Sequence, residues 1–214
     1  MLSTGNDIVV LAMTDAERTC QVRFHSRILI PGEVALYEEL VGSQCDRAVG
    51  VVPDFSSFVW LLWSIKESVY KYVSRSDRRL VFAPLKIPVG SVNFRDGYFE
   101  GIVRYGLLTL YSRSFFRDGT IMTVVSEERE FCAVRWGVRA IDDAAGVNQS
   151  GWVRVYALES LSGDVPGSDL RIVKSPDGPP EVWDGDDLLD IPISLAHHGR
   201  YVAWSYRLDS RATV

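Results

Sequence analysis

Residues 60–71, WLLWSIKESVYK, constrain this chain more than any other stretch. They sit in a long helix expected over about 55–74, which follows Asp54-Phe55-Ser56-Ser57. On that helix Trp63, Glu67 and Lys71 fall at i, i+4 and i+8, so a carboxylate and an ammonium share one face. Alone, the pair would be an ordinary helix ion pair and the tryptophans ordinary core. A second segment, GNDIV at 5–9, opens an apolar run from Ile8 to Leu11 that reads as a buried strand with Asp7 beside it. Two carboxylates and a lysine suit binding a divalent cation and handling a phosphate ester.

Composition permits a real core. The chain has 214 residues, 47% hydrophobic and 24% charged. A chain of this length buries roughly 70% of its unfolded surface without needing staples. The net charge of −5 argues against a protein that coats nucleic acid. No apolar run reaches about 18 residues, and no basic region followed by an apolar stretch stands at the N-terminus, so no membrane partner is expected and the expected compartment is the cytosol. Cys20, Cys45 and Cys132 are odd in number, widely spaced and outside any CxxC pair, which predicts reduced thiols.

The first part of the chain reads as helical after the strand. Thr14-Asp15-Ala16-Glu17 carries a capping residue with a carboxylate three positions on, and Pro31 opens a helix to about Leu40. From residue 80 the pattern changes to short strands in LKIPVGSVNF, RDGYFEGIV, GLLTLYSRS and TIMTVVSEE, with Asp96-Gly97 and Asp118-Gly119 as turn signals. DLRIVKSPDGPPEVW and ISLAHHGRYVAWSYRL repeat that layout near the C-terminus, through Asp177-Gly178 and Gly199. The expected fold is α+β, built as two related halves, about 1–125 and 126–214.

Four segments, in this order, resemble the short holo-acyl-carrier-protein synthases of the 4′-phosphopantetheinyl transferase superfamily. They are GNDIV at 5–9, QVRFHSRILIPGEVALYEEL at 21–40, WSIKESVYK at 63–71 and PISLAHHGRYVAWSY at 192–206. The stretch at 21–40 is similar to the first helix of those enzymes and the turn after it. The larger members of the superfamily are pseudo-dimers, so one chain would supply both sides of the site and act as a monomer. The resemblance implies Mg²⁺-dependent transfer of 4′-phosphopantetheine from coenzyme A to a serine of an apo acyl or peptidyl carrier protein, with release of 3′,5′-ADP. The alternative is a non-catalytic relative that binds coenzyme A or a carrier protein as a scaffold.

The same resemblance implies roles. Asp7 and Glu67 would hold the Mg²⁺. Lys71 would act as general base or meet the pyrophosphate, a metal-activated water being the other base. Lys66, about 100° round the helix from Glu67, would support a phosphate or a structural pair. His197 falls on the family's histidine and would contact a coenzyme A phosphate, while His198 would face the other way. Arg75 and Arg79, in the basic loop after the helix, would bind coenzyme A phosphates. Arg23, Phe24 and Arg27 match positions that dock the acidic helix of the carrier protein.

Three departures stand out. Val9 and Val10 occupy the places where relatives often carry a further acid. Ser74-Arg75-Ser76-Asp77-Arg78-Arg79 replaces a glycine-rich loop, and Asp177-Gly178-Pro179-Pro180 lacks the lysine of the family's N-G-K-P turn.

Overall fold

Strand β1, Gly5–Val10, is buried along its whole length and has a different neighbour on every side. The computed structural model describes residues 2–44, 52–142, 148–165, 169–175 and 178–208. Cys45 and Asp177 lie outside them; Cys20 and Cys132 are free and exposed. One edge of β1 pairs antiparallel with β5, Thr120–Ser126. β4 (Leu108–Arg117), β3 (Tyr98–Tyr105) and β2 (Val89–Arg95) continue the sheet in the order β1-β5-β4-β3-β2, every pair antiparallel. At Asp96-Gly97 and Asp118-Gly119 both central residues take positive φ, 50° and 86° in the first and 50° and 71° in the second. That is the backbone of a tight two-residue hairpin, as the Asp-Gly pairs predict.

Between β1 and β2 the chain forms α1 (Ala16–Thr19), α2 (Val22–His25), α3 (Pro31–Gln44) and α4 (Phe55–Ser74). Asp15 rather than Thr14 caps α1, its carboxylate accepting from the Arg18 N–H at 2.9 Å. The stretch 21–40 is not one helix and a turn: the short α2 precedes α3, which runs past Leu40. α4 has the expected bounds. Asp54 Oδ1 accepts from the Ser57 N–H at 2.7 Å at its start, a cap worth about 1 kcal/mol. The helix crosses one face of the sheet, and Phe58, Leu61, Leu62, Ile65 and Val69 share a core with Val9, Val103, Leu110, Ile121 and Val125.

Beyond β5 come β6 (Val134–Ala140), α5 (Gln149–Asp164), β7 (Leu170–Val173), β8 (Glu181–Asp184), β9 (Asp187–Leu189), β10 (Ile193–His198) and β11 (Tyr201–Arg207). β6 and α5 are additional to the elements the sequence predicts. α5 buries only Val153, Ala157 and Leu161, a narrow i, i+4, i+8 stripe in a segment that also holds Gly151, Trp152 and Tyr156. The strands form two three-stranded sheets, β10-β11-β6 and β7-β8-β9, where a close copy of the first half would give one larger sheet. The molecule is α+β with antiparallel sheets. Among the described residues no helix is long and apolar enough to cross a membrane.

The second edge of β1 lies along β10 and is bridged by side chains. The Asn6 N–H donates to Ser194 Oγ at 3.0 Å and the Val10 N–H to His198 Nδ1 at 3.1 Å, while the Thr4 and Ser205 hydroxyls lie 3.0 Å apart. Beneath them Ile8, Met122 and Val124 meet Val134, Ala196 and Ala203 in a shared apolar layer. A buried cation completes the seam. Arg207 lies 2.7 Å from both Glu127 and Glu128, and Tyr72 of α4 donates to Glu127 at 2.6 Å.

Candidate active site

Gly5 sets the distance between β1 and α4. A Cβ there would lie 2.0 Å from the Ser68 carbonyl oxygen and 2.8 Å from the Tyr72 nitrogen, so only glycine lets the strand touch the helix backbone. Two residues on, and on the same face, Asp7 arrives beside the next turn of the helix. Lys71 Nζ donates to Asp7 Oδ1 at 3.2 Å and to the Asn6 carbonyl at 3.0 Å. Asp7 Oδ2 is buried without a hydrogen-bond partner among the described residues.

Glu67 stands one turn before Lys71. Burial holds its carboxyl above the usual carboxylate range; the Lys71 ammonium opposes that and the Asp7 carboxylate adds to it. It has no hydrogen-bond or ion-pair partner among the described residues. His197 reaches the same neighbourhood from β10. Partial burial of its ring, then the charges of Lys71 and His198, hold the imidazole below the usual histidine range. His198 faces the other way and is structural, as its bond to the Val10 N–H shows.

Lys71 also lines a cleft of about 380 Å³ between α4 and the second half. Tyr70, Ser74 and Arg78 form its helix side, Gly178, Pro179 and Pro180 one rim, and Ile193, Ser194 and Leu195 the opposite wall. Arg78 is not among the residues the sequence singles out. Its guanidinium carbon lies 3.2 Å from where a Gly178 Cβ would sit, and one nitrogen is 4.0 Å from Glu181. Arg75, Arg78 and Arg79 look equivalent in sequence; the chain leaves α4 through turns at Arg75-Ser76 and Arg78-Arg79, and of the three Arg78 lines the cleft.

Other expected ligands are engaged elsewhere. Lys66 makes a structural pair: its fully buried ammonium donates to Glu33 Oε2 at 2.7 Å and to the Ile28 carbonyl at 2.6 Å. Burial draws its pKa below the usual lysine range, and Glu33 opposes this through its hydrogen bond and its charge. No phosphate can reach it. Arg75 uses its Nη2 on the carbonyls of Ile193 and Pro180, fastening the end of α4 to the second half rather than pointing into the Lys71 cleft. The Arg79 side chain is exposed and has no partner among the described residues; its backbone N–H donates to Asp77 at 3.0 Å. Arg23 and Arg27 are exposed, while Phe24 is half-buried with its ring 6.0 Å from that of Trp60. These three make a basic rim at the other end of α4, outside the Lys71 cleft.

Among the described residues no group of three or more His, Cys, Asp or Glu side chains could hold a metal ion. Val9 and Val10 supply no ligand in place of a further acid, for both are core residues. Asp7, whose buried Oδ2 has no hydrogen-bond partner among the described residues, and Glu67 are a donor set of the kind Mg²⁺ takes, since it keeps several waters and commonly uses one or two carboxylates. No protein-family model matches this chain, and no curated protein matches it.

Proposed function

We propose that the chain is a Mg²⁺-dependent 4′-phosphopantetheinyl transferase that modifies a serine of an apo acyl or peptidyl carrier protein. What supports this most is that Asp7, Glu67 and His197, drawn from three distant segments, gather around Lys71, which itself lines a cleft between α4 and the second half. Asp7 and Glu67 would hold the Mg²⁺, which when bound offsets the charge on the pyrophosphate oxygens of coenzyme A. Lys71 and Arg78 offer donors to its phosphates along the cleft wall, with Arg78 in place of the lysine missing at 177–180. His197 approaches another phosphate.

In the transfer, the serine oxygen bonds to phosphorus as the P–O bond to 3′,5′-ADP breaks. The hydroxyl proton goes to a water in the cleft, since Glu67 is committed to the cation. Lys71 is the poorer base, since its ammonium already donates to Asp7 and to the Asn6 carbonyl. The exposed Arg23 and Arg27 would meet the acidic helix of the carrier.

Incubation with coenzyme A, Mg²⁺ and a panel of apo carrier proteins should raise carrier mass by one phosphopantetheine unit. No gain on any carrier, with the protein folded, would sink the assignment. Release of 3′,5′-ADP without a carrier would mark a hydrolase instead. The absence of a third acid, with Val9 and Val10 in the core, favours a second possibility: a scaffold that binds coenzyme A or a carrier without turnover. Calorimetry separates the two, because coenzyme A binding to the scaffold is independent of Mg²⁺.

A further inference from the structure

β6 ends the sheet β10-β11-β6, and among the described residues no strand pairs with its outer edge. Its register against β11 runs from Val134↔Arg207 to Ala140↔Tyr201. The Leu208 N–H donates to the Ala133 carbonyl and the Ile141 N–H to the Arg200 carbonyl, so the odd-numbered residues bond inward. Trp136, Val138 and Ala140 therefore turn their N–H and C=O groups outward, and none of these groups has a partner among the described residues. Proteins normally shield such an edge with lysine, proline or a covering loop; VRWGVRA at 134–140 has neither of those residues.

Beside this edge runs a groove of about 880 Å³ between β6 and the outer face of β4 and β5. Phe115, Trp136 and Tyr201 give it an aromatic floor, with the Phe115 and Trp136 rings stacked at 6.0 Å and 24°. Arg117 and Arg200 flank it, and neither has an ion-pair partner among the described residues; Asp118 is the one carboxylate in the lining. The groove shares no residue with the Lys71 cleft.

We propose that this edge docks an extended segment of a partner protein, added to β6 as a further strand. Main-chain bonds to Trp136, Val138 and Ala140 supply affinity. The side chains select, with carboxylates against Arg117 and Arg200 and apolar residues against the aromatic floor. A second copy of this chain is the poorer occupant, because the strand it would offer carries two arginines and no carboxylate.

A labelled Glu-Thr-Val-Thr-Glu-Thr peptide, whose Glu, Val and Glu share one face of a strand, tests this, with Lys-Thr-Val-Thr-Lys-Thr as its counterpart. The acidic peptide should bind by fluorescence anisotropy and slow amide exchange at Trp136, Val138 and Ala140 at least about tenfold. Val138→Pro removes an outward N–H without breaking a native ladder bond. It should keep the wild-type melting profile and bind about tenfold more weakly, the loss expected for one hydrogen bond. Arg117→Glu with Arg200→Glu should switch preference to the basic peptide. Equal binding of both peptides by the wild type, no slowed exchange, or full binding by a folded Val138→Pro variant would each overturn the proposal. So would a wild-type dimer in sedimentation that Val138→Pro converts to monomer, since a second copy would then own the edge.

Discussion

Lys66 and Lys71 lie little more than one turn apart on α4, and each faces a carboxylate, yet the two pairs differ in every other respect. Lys66–Glu33 is dry, with side-chain exposures of 0% and 1%. Each Glu33 oxygen is satisfied: Oε2 accepts from Lys66 and the Ile30 N–H, and Oε1 from the Val89 N–H at 2.8 Å. One carboxylate thereby ties the start of α3, the middle of α4 and the start of β2. Lys71–Asp7 keeps 24% and 12% exposure, its separation is 3.2 Å, and one Asp7 oxygen is left over. A saturated pair can only hold structure. An unsaturated pair beside a cleft has capacity for a ligand.

Breaking the dry pair should cost most. Glu33→Ala leaves a buried ammonium and two backbone N–H groups without their acceptor, so urea denaturation should show a loss of about 3–5 kcal/mol. Glu33→Leu with Lys66→Met should recover much of that loss; a double variant no better than the single would mean that the bonds themselves, and not the stranded charge, set the cost. Lys71→Met should do the opposite. Transfer should fall about 10²–10³-fold, as when a charge-stabilising donor is removed. Stability should change by no more than about 1 kcal/mol, typical of a partly exposed pair. A Lys71→Met protein with full activity would erase the distinction drawn between the two lysines. Gly5→Ala sits between these extremes. Forcing a methyl against the Ser68 carbonyl should cost roughly 1–3 kcal/mol, with activity lost beyond that because Asp7 moves from Lys71 while Glu33 stays on Lys66. Equal loss of stability and activity would place the strain elsewhere.

Much of the first half was legible because local chemistry decides it. The Asp54 cap and the apolar spacing define α4, and two Asp-Gly pairs define two hairpins. Glu67, Lys71 and Asp7 could be joined in advance through a resemblance, and the glycine before Asp7 turns out to be the contact that makes their approach possible. Lys66 carried a usable signal: it falls within the arc of Leu62, Ile65 and Val69, which are fully buried. Its partner Glu33 lies in another helix, and no local pattern connects them. The same holds for Arg78, whose place in the cleft depends on a loop near 178–180 far along the chain. α5 and β6 escaped because one shows too narrow an apolar stripe and the other is a short edge strand whose partner comes some 70 residues later.

The seam between β1 and β10 is fastened by the Ser194 hydroxyl and the His198 ring rather than by a shared ladder. A ladder would have locked the two sheets at one angle. Hooks made of side chains can be lengthened, shortened or dropped one at a time, by single codon changes that leave the hydrogen bonds within each sheet alone. The opening of the Lys71 cleft is thus an inherited setting of its own, adjustable to bulkier or slimmer ligands over generations without redesigning either half.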